Sequence, residues 1–365
     1  MRVMSADAPR IGSIAVLGLG KVGMLAARLL HEAGIVVIGH DTRSMGAREP
    51  FQVHVTDVSD PVALDEALGQ VDAVLSCLPY RFNRQVADVA HRHAIHYFDL
   101  TEDVATTEHI RKLAVTADAI MAPQCGLAPG FVAIVAASQA ERFDRCRSIR
   151  MRVGALPQNP TGLLGYAFNW SPEGVVNEYL NDCEVIEDGV RKFVSSMEWR
   201  ENIYVGGALL EAFTTSGGLG TMCDTYAGEV ENLDYKTMRY PGHMDLMNFF
   251  FHELLMRERR ELAGEILTNA KPPVDADVVH VHVSSEGWID GQLRRLEHVR
   301  SFFPCIIGGR EVTAIAWTTA GSVAAVIEMV RNGVLPDRGE LRQETIPLDA
   351  FLATTTGARF DIPPP

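Results

Sequence analysis

Three glycines at positions 18, 20 and 23, followed by a carboxylate at Asp41, have the spacing that points most directly to a chemistry. In a G-x-G-x-x-G turn, Gly18 permits the tight bend, Gly20 lets the backbone approach a pyrophosphate, and Gly23 lets a helix pack closely on a strand. Lys21 and Val22 lie inside the turn and open a helix whose first N–H groups face the phosphates. Asp41 lies 18 residues beyond Gly23, at the end of the apolar run "IVVIGHD". A carboxylate there accepts both ribose hydroxyls of an adenosine and repels a 2′-phosphate, which predicts NAD rather than NADP. Thr42 and Arg43 flank the same ribose, and Arg43 weakens that preference. A second group raises a different question. The stretch "DYKTMRYPGHMD" crowds Arg239, Tyr240 and His243 around a Pro-Gly corner. Proline and glycine account for the corner, and the three large side chains are left over.

The glycine turn needs a strand before it and a helix after it, and both are legible. Ile14 to Leu17 form a short apolar run, and Leu25, Leu29 and Leu30 line one side of the helix that ends at Gly34. Further strand-like runs, "FQVHVTD", "VDAVLSCLP", "HYFDLT" and "AIMAPQCG", alternate with helical patterns such as "PVALDEALG" and "FNRQVADVAHRHA". This alternation predicts an α/β fold with a doubly wound parallel sheet. Ligands of such sheets bind beyond the carboxyl ends of the strands. Asp57 and Val58 are therefore expected beside the adenine. Cys77, Leu78 and Pro79 are expected on the nicotinamide side, and Asp99, Leu100, Thr101 and Glu102 at the edge of the reaction site.

After the helix-like "LAPGFVAIVAASQAERF", strand-like runs follow one another: "SIRMRVGALP", "CEVIEDGVRKFV", "ALLEAFTTSG", "LDYKTMRYPG", "DVVHVHVSSEG" and "QLRRLEHVRSFF". They predict a second, α+β domain with a mixed or antiparallel sheet, covered chiefly by one long helix from about His243 to Ala270. That helix has a broad apolar face suited to the sheet or to another subunit. A last helix, within "TTAGSVAAVIEMVRNGVLPDRG", is stopped by Gly333 and Pro336. The tail "DIPPP" reads as frayed.

The 365 residues are 47% hydrophobic and 22% charged, enough for two cores, and the net charge is -14. That charge speaks against nucleic acid and against an anionic membrane surface as partners. No run of about 18 apolar residues and no leader-like segment is visible, which predicts a cytoplasmic protein. The six cysteines have no CxxC spacing and read as reduced core residues. His91, His93 and His96, and the pair His280 and His282, have no matching third or fourth ligand, so no metal site is predicted.

In this order, the strings "GLGKVG", "SCLPY", "YFDLTED", "QCGLAPG", "FNWSPEGVVNEYL", "AFTTSGGLGTM", "YKTMRYPGH" and "LRQETIPLDAFL" resemble the saccharopine dehydrogenase-like oxidoreductases, most closely their lysine 6-dehydrogenase branch. The resemblance covers nearly the whole chain. It implies a Rossmann domain over residues 1–126, a substrate and dimerisation domain over 127–315, and a C-terminal helix and tail over 316–365 that return to the first domain. It also implies oxidation of a C–N bond by a pyridine nucleotide in a homodimer or higher homo-oligomer. The substrate would be a basic amino acid, with lysine deaminated at its side chain to a semialdehyde. Saccharopine reductases typically read "LDPG" where this chain has Leu127, Ala128, Pro129 and Gly130, which speaks against saccharopine itself.

With an amino acid as substrate, the crowded corner acquires a purpose. Arg239 becomes the fork for a carboxylate, Tyr240 a wall or hydrogen-bond partner, and His243 a proton relay or a helix cap. Asp99 and Glu102 suit a substrate ammonium, with a helix cap or ribose contact as the alternative for Asp99. Trp170 reads as a pocket wall or as packing. Thr215 and Ser216, in "FTTSGGLG", read as a close backbone approach to ligand or as a plain turn. Two alternatives stay open: an imine reductase running in the opposite sense, and a dinucleotide-binding sensor without turnover.

Overall fold

The computed structural model describes residues 10–45 and 49–362, so Met1–Pro9, Gly46–Arg48 and the end of the proline tail lie outside the described residues. The chain divides into two units, one reaching Gly130 and resuming over Thr318–Ile362, the other covering Phe131–Trp317.

The first unit alternates strand and helix: β1 (Ser13–Leu17), α1 (Lys21–Glu32), β2 (Val36–Asp41), β3 (Gln52–Val55), α2 (Pro61–Leu68), β4 (Ala73–Ser76), α3 (Asn83–His93), β5 (His96–Asp99), α4 (Val104–Ala114) and β6 (Ile120–Ala122). Every strand pairing is parallel. Counting outward from β1, the strands run to β2 and β3 on one side and to β4, β5 and β6 on the other. The order therefore reverses between β1 and β4, the crevice where such sheets hold dinucleotides. β1 and β4 are buried almost throughout, which is why they read as continuous apolar runs rather than alternating ones.

The second unit begins with α5 (Phe131–Ala140), an apolar helix buried along nearly its whole length, and β7 (Arg145–Pro157). There follow α6 (Pro172–Leu180), the hairpin β8 (Cys183–Glu187) and β9 (Val190–Val194), the hairpin β10 (Glu201–Val205) and β11 (Ala208–Thr214), α7 (Met222–Tyr226) and β12 (Asn232–Arg239). Next come α8 (His243–Asn248), α9 (Arg260–Ala270), the long strands β13 (Asp277–Ile289) and β14 (Gln292–Phe302), and a small hairpin of β15 (Cys305–Ile307) and β16 (Arg310–Val312). The large sheet is mixed, in the order β10-β11-β12-β7-β13-β14, with β12 parallel to β7 and the other pairings of this path antiparallel. It coils strongly. A Cβ on Gly206, in the β10–β11 turn, would lie 2.8 Å from His280 on β13 and from Ser301 on β14.

One expectation is corrected here. The single helix from His243 to Ala270 is three pieces: α8 passes into a π turn at Phe249–Glu253, Leu255 takes a left-handed φ of +56°, and a 3-10 turn precedes α9. The wide turn sends Phe251 into the core and leaves Phe249 exposed. Polar contacts then fix α9, because Arg260 reaches Asn177 on α6 and Asn181 just past its end.

The chain completes the first unit with α10 (Ala314–Arg331, from Thr318 onward), β17 (Gly339–Glu340), which pairs with β6, and α11 (Leu348–Leu352). Glu328 of α10, buried, accepts the backbone N–H groups of Thr355 and Thr356 and the Thr356 hydroxyl, tying the end of the chain to the helix. Among the described residues no helix is long and apolar enough to cross a membrane.

Candidate functional site

The glycine turn has the shape its sequence requires. Gly18 has φ +85° and donates its N–H to the His40 carbonyl at 2.8 Å. A Cβ on Gly23 would lie 1.9 Å from the Gly18 carbonyl oxygen, so only glycine fits where α1 leaves the turn. A Cβ on Gly20 would meet nothing within 4 Å, which leaves open space at the helix start. No side chain caps α1 and no acidic residue occupies its first turn, so its N–H groups are available to an anion. These features fit a dinucleotide pyrophosphate.

Asp41, the last residue of β2, braces this turn. Its Oδ2 accepts the Leu19 N–H at 2.9 Å, and its Oδ1 accepts both the N–H and the Nε of Arg43 at 2.9 and 3.0 Å. Burial pushes the carboxyl up, but the hydrogen bonds from Arg43 and Leu19 outweigh it and hold Asp41 below its ordinary value. Arg43 is mostly exposed and lies over the carboxylate from outside. Lys21 and Thr42 are exposed, and Val22 is half-buried. The other expected border residues divide between surface and core. Asp57 is exposed and occupied with Ser59, whereas the Val58 side chain is buried in the core. Leu78 packs beside Gly18, and Pro79 leads into a 3-10 turn. The Cys77 thiol is pushed up to about 12 by burial and then by Asp99, so it is not a nucleophile at neutral pH.

Asp99 is fully buried at the end of β5, and four protein donors occupy its carboxylate. Tyr97 Oη and Asn83 Nδ2 donate to Oδ2 at 2.7 and 3.2 Å, and the N–H groups of Thr101 and Gln124 donate to Oδ1 at 3.0 and 2.9 Å. Burial pushes it up to about 6 while those hydrogen bonds pull it back. The expectation that Asp99 meets a substrate ammonium is therefore corrected: it positions the strand ends and α3, and Ser76 extends the network through Asn83. Thr101 is buried beside it, while Leu100 and Glu102 are half-buried.

In the second unit, Arg239, His243 and Trp170 meet in one polar network inside an aromatic core. Arg239, the last residue of β12, is 2% exposed, and its guanidinium lies 4.7 Å over the Tyr166 ring. It donates through Nε to Tyr179 Oη at 2.8 Å and through Nη1 to the Met238 carbonyl. Tyr179 Oη also meets His243 Nε2 at 3.0 Å, and His243 Nδ1 lies 3.0 Å from the Leu164 carbonyl. A carbonyl only accepts, so Nδ1 carries the proton and Nε2 accepts from Tyr179. The bonds thus run in one direction, from Arg239 to Tyr179 to His243 to Leu164. Burial first, and Arg239 second, lower His243 to about 3. His243 is therefore neutral with both nitrogens engaged, which corrects its expected role as a proton relay near neutral pH.

Trp170, half-buried, donates Nε1 to Tyr166 Oη at 3.2 Å. Tyr240, also half-buried, donates to the Pro157 carbonyl at 2.9 Å. Thr215 is buried, and its hydroxyl has no hydrogen-bond partner among the described residues. Two of the five N–H donors of Arg239 are used, and no described protein group takes the remaining three.

The Pro-Gly corner itself is held by a residue that sequence reasoning missed. Gly242 has φ +94°, and Glu211 on β11 accepts the N–H groups of Gly242 and Met244 at 3.1 and 2.7 Å, capping α8. Tyr166 and Tyr179 were also missed, although Tyr179 lies inside the quoted motif around Trp170 and Tyr166 two residues before it. Among the described residues, no group of three or more His, Cys, Asp or Glu is arranged to hold a metal.

The glycine turn, the strand reversal and the braced carboxylate define the first unit as a Rossmann-type dinucleotide-binding domain. Residues 14–122 match the family model described as the saccharopine dehydrogenase NADP binding domain, and residues 126–355 match the saccharopine dehydrogenase C-terminal domain. The chain belongs to the saccharopine dehydrogenase family. It is 26% identical over 247 residues to the NADP+-dependent, L-glutamate-forming saccharopine dehydrogenase of Schizosaccharomyces pombe, covering 63% of this chain and 54% of that one. To the enzyme of the same description from Saccharomyces cerevisiae it is 31% identical over 153 residues, 38% of this chain and 33% of that one. The chain spans about half the length of the curated relatives it matches. The apo structure of the histidine-tagged, L-Glu-forming saccharopine dehydrogenase from Saccharomyces cerevisiae has the same fold, with a TM-score of 0.69 at 18% identity, over 91% of this chain and 94% of that one.

Proposed function

We propose that this protein is an NAD-dependent oxidoreductase that removes the side-chain amine of a basic amino acid, lysine above all. The observation that carries the reading is Arg239: a buried guanidinium with three N–H donors left over, in a chain whose other unit has a dinucleotide turn. A carboxylate is the acceptor that a planar fork fits best. The bound dinucleotide supplies the hydride acceptor.

In the reaction, the carbon bearing the amine loses a hydride, and the nitrogen loses a proton to become an imine. Water then adds and ammonia leaves, giving a semialdehyde that cyclises to a piperideine carboxylate. The directed bonds through Tyr179 and His243 hold Arg239 in place, and Trp170 and Tyr240 are the half-exposed aromatic walls. The ammonium must lose its proton before hydride can leave, so the rate rises with pH through the alkaline range.

NAD is the proposed cofactor because the charge of Asp41 opposes a 2′-phosphate, with Arg43 narrowing the difference. The family model and the curated relatives name NADP, so the chain's own residues carry this point alone. A second reading, an imine reductase of the saccharopine type, is favoured by the descriptions of those same relatives. Against it stands Ala128, half-exposed and without the family's carboxylate. The deciding assay follows reduced nicotinamide with NAD and NADP against lysine, a diamine without a carboxylate, and saccharopine. Turnover on saccharopine but not lysine would replace the first reading with the second.

A further inference from the structure

Glu178 lies in α6, directly before Tyr179, and is 7% exposed. Carboxylates are almost never buried this far unless they are paired. The end of β11 fixes its place in the fold. Ser216 donates its N–H to the Glu178 carbonyl at 3.0 Å and its hydroxyl to the Asn177 carbonyl at 3.2 Å. Thr215, one residue earlier, carries the buried hydroxyl that has no partner among the described residues. Thr214 pairs with Lys236, so the chain leaves β11 at the level of Tyr235, which shares its face of β12 with Thr237 and Arg239. Electrostatics ties Glu178 to the same cluster. Burial raises Tyr166, Tyr179 and Tyr235, and Glu178 adds to the rise of each. Arg239 is held up, against its burial, by Tyr179, Tyr166 and Glu178. The three phenols and His243 are therefore neutral, and Arg239 and Glu178 give the cluster one charge of each sign. Arg239 directs its bound N–H groups to Tyr179 and Met238, not to Glu178.

We propose that Glu178 and Thr215 receive the α-ammonium of the amino acid whose carboxylate Arg239 holds. The inference rests on the reading of Arg239 as a carboxylate anchor and adds the other half of the headgroup. In an α-amino acid the two ionic groups stand on one carbon, so the protein must offer an anion and a cation within one cluster. An ammonium has three donors, and a carboxylate oxygen and a hydroxyl oxygen take two of them. A carboxylate has about four lone-pair sites, so a partner inside the protein leaves room for this one. Aromatic rings around the pair keep the surroundings of low dielectric, where charge-assisted bonds count for more than they do in water. The arrangement also explains which amine reacts. With both groups of the α-carbon held, the α-ammonium stays protonated and bound, and the side-chain amine is the one left to lose its proton. The ligand class is thus the α-amino acid with a second amine at the end of its side chain.

The test compares lysine with 6-aminohexanoate, which lacks the α-ammonium, and with 1,5-diaminopentane, which lacks the carboxylate. Calorimetric binding to the full chain saturated with NAD is measured for each, alongside NAD reduction, and circular dichroism verifies folding. The wild type is expected to bind lysine at least about tenfold more tightly than 6-aminohexanoate. Glu178→Gln keeps the size and removes the charge, and is expected to bring these two ligands close to equal affinity. Thr215→Val is expected to narrow the gap by a smaller factor. Arg239→Lys is expected to weaken lysine and 6-aminohexanoate alike and to affect 1,5-diaminopentane less. A wild type that binds 6-aminohexanoate as tightly as lysine would overturn the proposal without any variant. So would a folded Glu178→Gln protein that weakens both ligands by the same factor, which is what a purely structural glutamate predicts. Oxidation of lysine without the binding preference would remove the ammonium site and leave the dehydrogenase reading standing. Preferential binding of lysine without its oxidation would do the reverse.

Discussion

Replacing Asp41 by alanine tests the cofactor assignment on the residue that carries it. A phosphate on the ribose 2′-oxygen brings a charge of about -1.5 to -2 into the reach of this carboxylate. Two unit charges about 4 Å apart near a protein surface interact by roughly 4 kcal/mol. Arg43, with its Nε 3.0 Å from Oδ1, cancels much of that. A residual of about 1.4–3 kcal/mol corresponds to roughly 10- to 100-fold in Kd. Asp41→Ala is therefore expected to move the NAD to NADP ratio of dissociation constants toward NADP by that factor. Absolute NAD affinity should fall as well, because Leu19 loses the acceptor of its N–H. The control is Arg43→Ala, which should move the ratio the other way, since the cation that could meet the 2′-phosphate is gone. Calorimetric titration of both dinucleotides into all three proteins reads the ratios directly. A wild type favouring NADP, or a ratio unmoved by Asp41→Ala, would refute the reasoning.

Three further outcomes are expected. Arg239→Lys keeps the charge and loses the two-point fork, so kcat/KM for lysine should fall at least about tenfold with NAD binding unchanged, while a diamine without a carboxylate suffers less; equal losses on both substrates would end the anchor assignment. Tyr179→Phe strips the hydroxyl that links Arg239 to His243 and leaves two buried groups without a partner, so thermal or urea unfolding should register a loss on the order of 1–3 kcal/mol. Acid should destabilise the fold early: burial lowers His243 to about 3 and His40, His96 and His280 to about 4. Each is neutral when folded and protonates when unfolded below about pH 6.5, so stability is full above that value and falls toward pH 4 by up to about 1.4 kcal/mol per pH unit for each group. Asp99, raised from 3.8 to about 6, and Asp277, also raised by burial, contribute in the opposite sense, and two carboxyls do not offset four imidazoles. Urea melts at about pH 7 and pH 4.5 that gave equal stability would contradict this.

The first unit was legible because its signals are local. A glycine with positive φ, a glycine with no room for a Cβ, and apolar runs of strand length each follow from a few neighbouring residues, and their alternation implies the parallel sheet. The segment from His243 to Ala270 was misread for the opposite reason. Its apolar pattern is compatible with a continuous helix, and what breaks it is the demand of the core for Phe251, a tertiary fact. Glu211 was invisible for the same reason, since a glutamate in a strand gives no hint that it holds the Gly242 corner 31 residues later and caps the helix that follows.

The strand-end rule located both acidic candidates of the first unit without distinguishing what they do. Asp41 and Asp99 each terminate a parallel strand, yet one stays below the ordinary carboxylate range and the other is raised to about 6. The difference lies in their partners. Asp41 faces a cation with an exposed side chain, so a ribose can replace the Arg43 guanidinium without leaving a buried group unpaired. Asp99 faces a tyrosine, an amide and two backbone N–H groups, none of which can withdraw without cost to the core. A carboxylate so held can order its surroundings but has no oxygen left to offer. The same criterion applied to the second unit selects Arg239 over His243. Both are buried, but the histidine has spent both nitrogens, while the guanidinium keeps N–H groups in reserve. Unspent donors on a buried cation identify where a ligand acceptor is needed, and residue type and spacing alone do not.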